Sequence, residues 1–197
     1  MATEPKLVLV RHGATEWSED GRHTSHTDLP LLSSGIERAR ALGPILARHT
    51  FARVLSSPLQ RARQTADLAG FAGRLEITPG LTEWDYGDYE GLTSQQIRAS
   101  DPDWNLWRDG CPDGESPAEV TVRVDQVIAD AVTSGGDVLM FAHGHVLRSL
   151  AARWMGLEVA AGGHLALLTA TISVLGHENE TRVIERWNAS RVTTGRG

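Results

Sequence analysis

Two uninterrupted apolar runs constrain this chain more than any other feature: residues 7–10, Leu-Val-Leu-Val, and residues 138–142, Val-Leu-Met-Phe-Ala. Neither alternates with polar residues, so each reads as a strand covered on both faces, as in a parallel sheet packed between helices. Each run leads into a histidine followed by glycine: Arg11-His12-Gly13 after the first and His143-Gly144-His145 after the second. Strand carboxyl ends are where an open α/β sheet presents its chemistry. Two such ends can face each other across one pocket.

The rest of the chain alternates in the same sense. Ser34-Gly35-Ile36-Glu37 has the spacing of a capping box and opens a predicted helix to about His49; residues 53–56 form a second strand. Ser57-Pro58-Leu59-Gln60 repeats the cap, with proline at the first helical position, and starts a helix to about Ala69. A short strand is expected at 75–78. Ser116-Pro117-Ala118-Glu119 begins a helix whose apolar residues Val120, Val124, Val127, Ile128 and Ala131 keep helical spacing up to Gly135-Gly136. After strand 138–142, a helix is expected over 145–155 and final strands over 165–175 and 181–187. The least regular stretch, 93–114, is a candidate lid or active-site wall. Strands alternating with helices predict an α/β fold, a three-layer α/β/α arrangement with a mostly parallel central sheet.

A chain of 197 residues, 41% hydrophobic and 22% charged, suits one globular domain spanning 1–197, with residues 190–197 expected to be a frayed tail. The net charge of −6 argues against nucleic acid as a partner, which usually calls for clustered cations. Of 19 basic residues only Lys6 is a lysine. Arginine's planar fork suits phosphate and carboxylate, although a GC-rich coding bias yields the same composition. A single cysteine, Cys111, rules out an internal disulfide and fits a reducing compartment. With no signal-like leader and no apolar run approaching a membrane span, the default expectation is a cytoplasmic protein with no membrane partner.

His12 is the first candidate for chemistry, as a nucleophile toward phosphorus. A neutral imidazole is nucleophilic near neutral pH, and a nearby backbone carbonyl could fix its tautomer. Phosphoryl transfer depends on positioning and on stabilising charge on the equatorial oxygens, a task for Arg11 and a second arginine. Arg61 and Arg63 compete for that role. They sit about 200° apart on an ideal helix, so one can face the pocket while the other faces away. His143 would be a further group on the phosphoryl oxygens, with the following helix pointing its N-terminus at the anion. The departing alkoxide needs a proton, and the segment 81–91 offers Glu83, where Trp84, Tyr86 and Tyr89 could desolvate a carboxyl. Asp85, Asp88 and Glu90 are its competitors.

Assembled in this order, the motifs resemble the histidine phosphatase superfamily, in the branch that includes cofactor-dependent phosphoglycerate mutases. Leu9-Val10-Arg11-His12-Gly13 is similar to the signature strand and nucleophile, and Thr27-Asp28-Leu29-Pro30-Leu31 with Ser34-Gly35 to the loop entering the first helix. Ser57 through Ala66 resembles the second arginine motif, the segment 81–91 the acid motif, and His143-Gly144-His145 the second histidine motif. The resemblance implies a phosphoglycerate mutase-like fold. It makes His12 the phosphorylated nucleophile, Glu83 the proton donor, and Arg11, Arg61 and His143 the phosphate pocket, choosing Arg61 over Arg63 and Glu83 over Asp85. It also places Thr24 near the phosphate.

Within the superfamily, the block from Trp104 to Ser116 and the block from Glu83 to Gly91 are most similar to acid phosphatases and sedoheptulose-bisphosphatase-like sugar phosphatases. The stretch between Gly91 and the helix at Ser116 is short, whereas mutases resemble one another in a longer insertion carrying basic residues. Ser18 stands where many members have asparagine, and His145 where mutases usually have it. The expected activity is therefore metal-independent hydrolysis of small phosphomonoesters, sugar phosphates foremost, without a cofactor; a cofactor-dependent phosphoglycerate mutase is the alternative. Neutral nucleophile and protonated acid together predict a bell-shaped acidic-to-neutral pH profile. Ser18, Arg22, His23, Thr24, Tyr86, Arg108 and Gly144 are the candidate substrate-binding residues, with His26 and Trp107 as further substrate-facing candidates. If the domain associates with itself, a symmetric homodimer is the commonest form.

Two readings of other classes compete. His143-Gly144-His145 with His23 and His26 suggests a metal hydrolase, but no acidic residue lies at a familiar ligand spacing. A non-catalytic phosphate-binding module would need no complete set of nucleophile, acid and clamp.

Overall fold

The computed structural model describes residues 4–190. The predicted tail beyond Ser190 lies outside the described residues. Six strands form one sheet: β1 Leu7–Arg11, β2 Arg53–Ser56, β3 Leu75–Ile77, β4 Val138–Ala142, β5 Ile172–Glu178 and β6 Thr181–Ala189. Their order is β3-β2-β4-β1-β5-β6. The first four run parallel, β5 runs antiparallel to β1, and β6 turns back antiparallel to β5, so the sheet is mixed with a parallel centre.

Side chains alternate across this sheet as the pleat requires. Leu7, Leu9, Leu55, Val138 and Met140 pack with Val120, Val124, Leu147 and Leu150 on one face, while Val8, Val10, Val54, Leu139 and Phe141 pack with Leu42, Leu46, Ala62 and Ala66 on the other. The first set of helix residues belongs to α6 Pro117–Val132 and α7 Gly144–Trp154, the second to α2 Ser33–Leu46 and α3 Gln60–Ala66. Both faces being covered is the reason that β1 up to Val10, and all of β4, are apolar. Three shorter helices, α1 Glu16–Asp20, α4 Ser94–Ser100 and α5 Leu106–Asp109, lie in the connections. The last two occupy the stretch that reads as irregular in sequence.

The Ser116 capping box forms as expected, with Glu119 as its third helical residue. The other two caps do not. Helix α2 begins at Ser33 after Leu32, without a side-chain cap, and Gly35 lies inside it. A Cβ on Gly35 would stand 2.4 Å from the Ala14 carbonyl oxygen, and one on Gly13 would stand 2.7 Å from that of Gly35. The loop after His12 and the first turn of α2 are thus pressed together at backbone distance, a contact that only glycine permits. Helix α3 begins at Gln60 rather than after Ser57, although the Ser57 Oγ accepts from the Leu59 N–H at 3.3 Å; the same hydroxyl faces the His143 ring at 2.7 Å. The predicted strand over 165–175 starts only at Ile172. The preceding loop folds over the end of β1 instead, its Ala170 N–H donating to the carbonyls of Arg11 and His12.

Candidate active site

Register brings the two histidines together. Arg11 at the end of β1 pairs with Ala142 at the end of β4, so His12 and His143 leave adjacent strands side by side, with ring centroids 5.1 Å apart. Ser56 at the end of β2 pairs with Phe141, which delivers Ser57 and the start of α3 to the same edge. A cavity of about 190 Å³ opens there. Arg11, His12, Glu83, Gly144, Ser18, Arg22, His23, Thr24 and Tyr86 all line it.

The His12 Nδ1 lies 2.7 Å from the Gly13 carbonyl oxygen. A carbonyl can only accept, so Nδ1 carries the proton and Nε2 keeps its lone pair. Burial pushes the imidazole well below its ordinary pKa, and the charges of Arg11 and Arg61 add to the effect. His12 is therefore a neutral, oriented base. Arg11 donates from Nη1 to the Leu167 carbonyl, and its buried Nε has no partner among the described residues. An unmatched guanidinium N–H in the residue next to a histidine with a free ring nitrogen suits an anion.

Glu83 sits outside any helix or strand, yet its carboxylate is firmly held. Oε1 accepts from the N–H of Trp84 at 2.9 Å and of Val146 at 2.8 Å, and Oε2 from that of His145 at 3.0 Å. The last two donors belong to the first turn of α7, whose N-terminus attracts negative charge. Oε2, with one bond, retains a free acceptor position. The rival carboxylates have other duties: Asp85 accepts from Gly87 N–H and faces His26 at 3.1 Å, Glu90 binds Ser25 and Thr27, and Asp88 is exposed.

Arg61 and His143 form the layer behind His12 rather than the cavity wall. Arg61 is fully buried, and four of its five N–H groups are engaged: by the carbonyls of Thr24, Ser25 and Thr27, and by His143 Nδ1 at 3.0 Å. His143 Nδ1 thus accepts, leaving Nε2 to donate to Ser57. Arg63, two residues away, is exposed. The helical spacing separates the two arginines as expected.

Not every predicted residue converges. Arg108 is exposed, binds the Asp109 carboxylate at 2.7 Å, and lines a separate depression with Trp107 and His164. Trp107 stands between the two sites: its ring meets His145 and Arg148, which line the main cavity, but it does not line that cavity itself. Arg148 lines the cavity as well, outside every motif of the sequence. It stacks at 4.7 Å over Trp107 and donates to the Gly162 and Gly163 carbonyls, a placement that no local pattern announces. His145 also enters the cavity wall, with its Nδ1 2.6 Å from the Tyr86 hydroxyl. Burial raises the phenol well above its usual pKa and lowers the imidazole, so Tyr86 donates and neutral His145 carries its proton on Nε2. The histidines of the metal reading meet different partners: His23 the Leu92 carbonyl, His26 Asp85, His143 Arg61 and Ser57, and His145 Tyr86.

Buried neutral histidines make stability depend on pH. Burial, followed by the Arg61 charge, also holds His143 well below its ordinary pKa. Below the unfolded value of about 6.5 the unfolded chain takes up protons that folded His12 and His143 refuse. Stability should then fall by about 1.4 kcal/mol per histidine per pH unit until the folded pKa values are reached, and be unaffected by this term above pH ~7. Denaturant titrations at pH 7.5, 6.5 and 5.5 measure it; a flat result would contradict the neutral assignment.

A family model for the histidine phosphatase superfamily (branch 1) matches residues 7–190. The chain is 44% identical over 181 residues to an acid phosphatase of Mycobacterium tuberculosis, covering 90% of this chain and 89% of the relative. It is 36% identical over 187 residues to a sedoheptulose 1,7-bisphosphatase of Saccharomyces cerevisiae, covering 79% and 69%. A solved structure of an open reading frame product from Mycobacterium tuberculosis superposes with a TM-score of 0.90 at 42% identity, covering 94% of this chain and 97% of that one. Among the described residues no helix is long and apolar enough to cross a membrane. With the sheet, the paired histidines and the arginine-lined cavity in place, the chain belongs to the histidine phosphatase superfamily, branch 1.

Proposed function

We propose that the protein hydrolyses small phosphomonoesters, sugar phosphates foremost, through a phosphohistidine at His12. The observation that carries this reading is the free Nε2 of neutral His12 in a cavity that Arg11 also lines, together with the open Oε2 position of Glu83. His12 Nε2 attacks phosphorus in line as the ester P–O bond breaks, and protonated Glu83 gives its proton to the leaving oxygen. Ionised Glu83 then takes a proton from water while the water oxygen attacks phosphorus. The P–N bond breaks, inorganic phosphate leaves, and neutral His12 and protonated Glu83 are restored.

Arg11 stabilises the charge on the transferring oxygens directly, and Arg61 places a second positive charge behind His12. The cavity also carries Arg22 and Arg148 against the single carboxylate of Glu83, a balance suited to an anionic substrate. Ser94, Thr24, His23 and the Nε2–H of His145 supply hydrogen-bonding groups for a polyol. The names of the two relatives, an acid phosphatase and a sugar bisphosphatase, support hydrolysis over isomerisation.

Incubation with a panel of phosphorylated sugars and with phosphoglycerate tests the reading. Inorganic phosphate should be the product. Isomerised phosphoglycerate without phosphate release would instead identify a mutase.

A further inference from the structure

We infer that Glu115 and Arg123 form a clamp that positions Glu83, an inference that rests on the acid–base role given to Glu83 above. Glu83 lies in residues 82–86, which belong to no helix or strand, so its backbone must be fixed from outside. Two side chains do this. Arg123, on α6, donates from Nη1 to the carbonyls of Gly80 at 2.9 Å and Thr82 at 2.8 Å, on the N-terminal side of Glu83. Glu115 binds the C-terminal side: its Oε2 accepts from Asp85 N–H at 2.9 Å, its backbone N–H donates to the Asp85 carbonyl at 2.9 Å, and its carbonyl accepts from Trp84 Nε1 at 2.9 Å.

The two halves hold each other. Arg123 Nε meets Glu115 Oε1 at 2.8 Å and Nη2 meets Oε2 at 2.6 Å, a bidentate pair with only 20% and 21% of the side chains exposed. Gly114 lets the two segments lie this close, because a Cβ there would stand 2.4 Å from the Asp85 carbonyl oxygen. The Glu83 backbone is thereby pinned from α6, while its carboxylate is pinned by the N-terminus of α7. Neither Arg123 nor Glu115 lines the cavity or touches the reacting atoms. They are positioning residues, acting through residues 80, 82, 84 and 85. Proton delivery is steeply sensitive to such placement, with a 1 Å error costing on the order of 100-fold.

The test exploits leaving groups, since an alkyl phosphate needs a proton on its departing oxygen whereas p-nitrophenyl phosphate expels a stable anion unaided. Single-turnover transfer to His12 is measured on both substrates for wild type, Glu83→Gln, Glu115→Gln and Arg123→Lys, with thermal melting as a check of folding. Glu83→Gln should slow the alkyl reaction far more than the aryl one; if it does not, the acid role itself fails. With that contrast in hand, Glu115→Gln and Arg123→Lys should slow alkyl transfer roughly 10- to 100-fold and aryl transfer less than about threefold. Equal slowing on both substrates, or none on the alkyl ester, would overturn the clamp. So would the loss of folding in both variants, which would make the pair a folding determinant.

Discussion

His12→Ala should lower phosphate release from sugar phosphates by at least about four orders of magnitude, because its Nε2 is the lone pair set next to Arg11 at the end of β1, whereas His23, the other cavity histidine with Nδ1 on a backbone carbonyl, packs against Tyr86, Trp104 and His145. Glu83 is held by three backbone N–H groups, His145 accepts from Tyr86, and His143 is engaged at both ring nitrogens. The variant should still bind phosphate, since Arg11 and the rim arginines remain. Initial-rate assays give the first number, and inorganic phosphate competition gives the second. Trapping of a phosphoenzyme that is labile to acid and stable to base, present in wild type and absent in the variant, would locate the intermediate. Retention of a tenth of wild-type activity would place the nucleophile elsewhere.

Arg61→Ala should damage stability as well as catalysis. The side chain is fully buried, and its loss removes the donor from the carbonyls of half-buried Thr24 and Thr27 and strands the buried Ser25 carbonyl and His143 Nδ1. Each unsatisfied buried group costs about 1–3 kcal/mol, so a total above about 3 kcal/mol is expected. That is a large share of a typical stability of about 5–15 kcal/mol and corresponds to a fall in Tm of about 10 °C. Arg61→Lys keeps the charge but cannot reach the same acceptors with one ammonium. Chemical denaturation of both variants, with exposed Arg63→Ala as a control expected within about 0.5 kcal/mol of wild type, separates these effects. Lysine restoring full stability would show that the charge, and not the fork, is what the fold requires.

Much of this site is legible in the chain because its parts sit at the ends of local elements. An apolar run of strand length that stops at Arg11-His12-Gly13 or His143-Gly144 announces both strand and function within a few residues. Arg61 faces inward and Arg63 outward for reasons of helical angle alone. The capping expectations met mixed outcomes for a physical reason. Ser116 and Glu119 close a reciprocal box that starts the helix at Pro117, whereas Gln60 turns instead to Asp28, and the Ser57 Oγ, which accepts from the Leu59 N–H, also meets His143 86 residues away in sequence.

The α/β alternation, the buried central strands, the family and the residues at the strand ends are written in short windows of the chain, because they follow from periodicity and local motifs. Which side chains share the cavity depends on long-range packing. It brought in Arg148, laid over Trp107 by the Gly162 and Gly163 carbonyls, and left Arg108 outside with Asp109. It also set Arg61 and His143 one layer behind His12 and placed Glu115 and Arg123 on either side of the Glu83 backbone. Such placements arise where separate stretches of chain meet, and the energy that selects them comes from partners far apart in sequence.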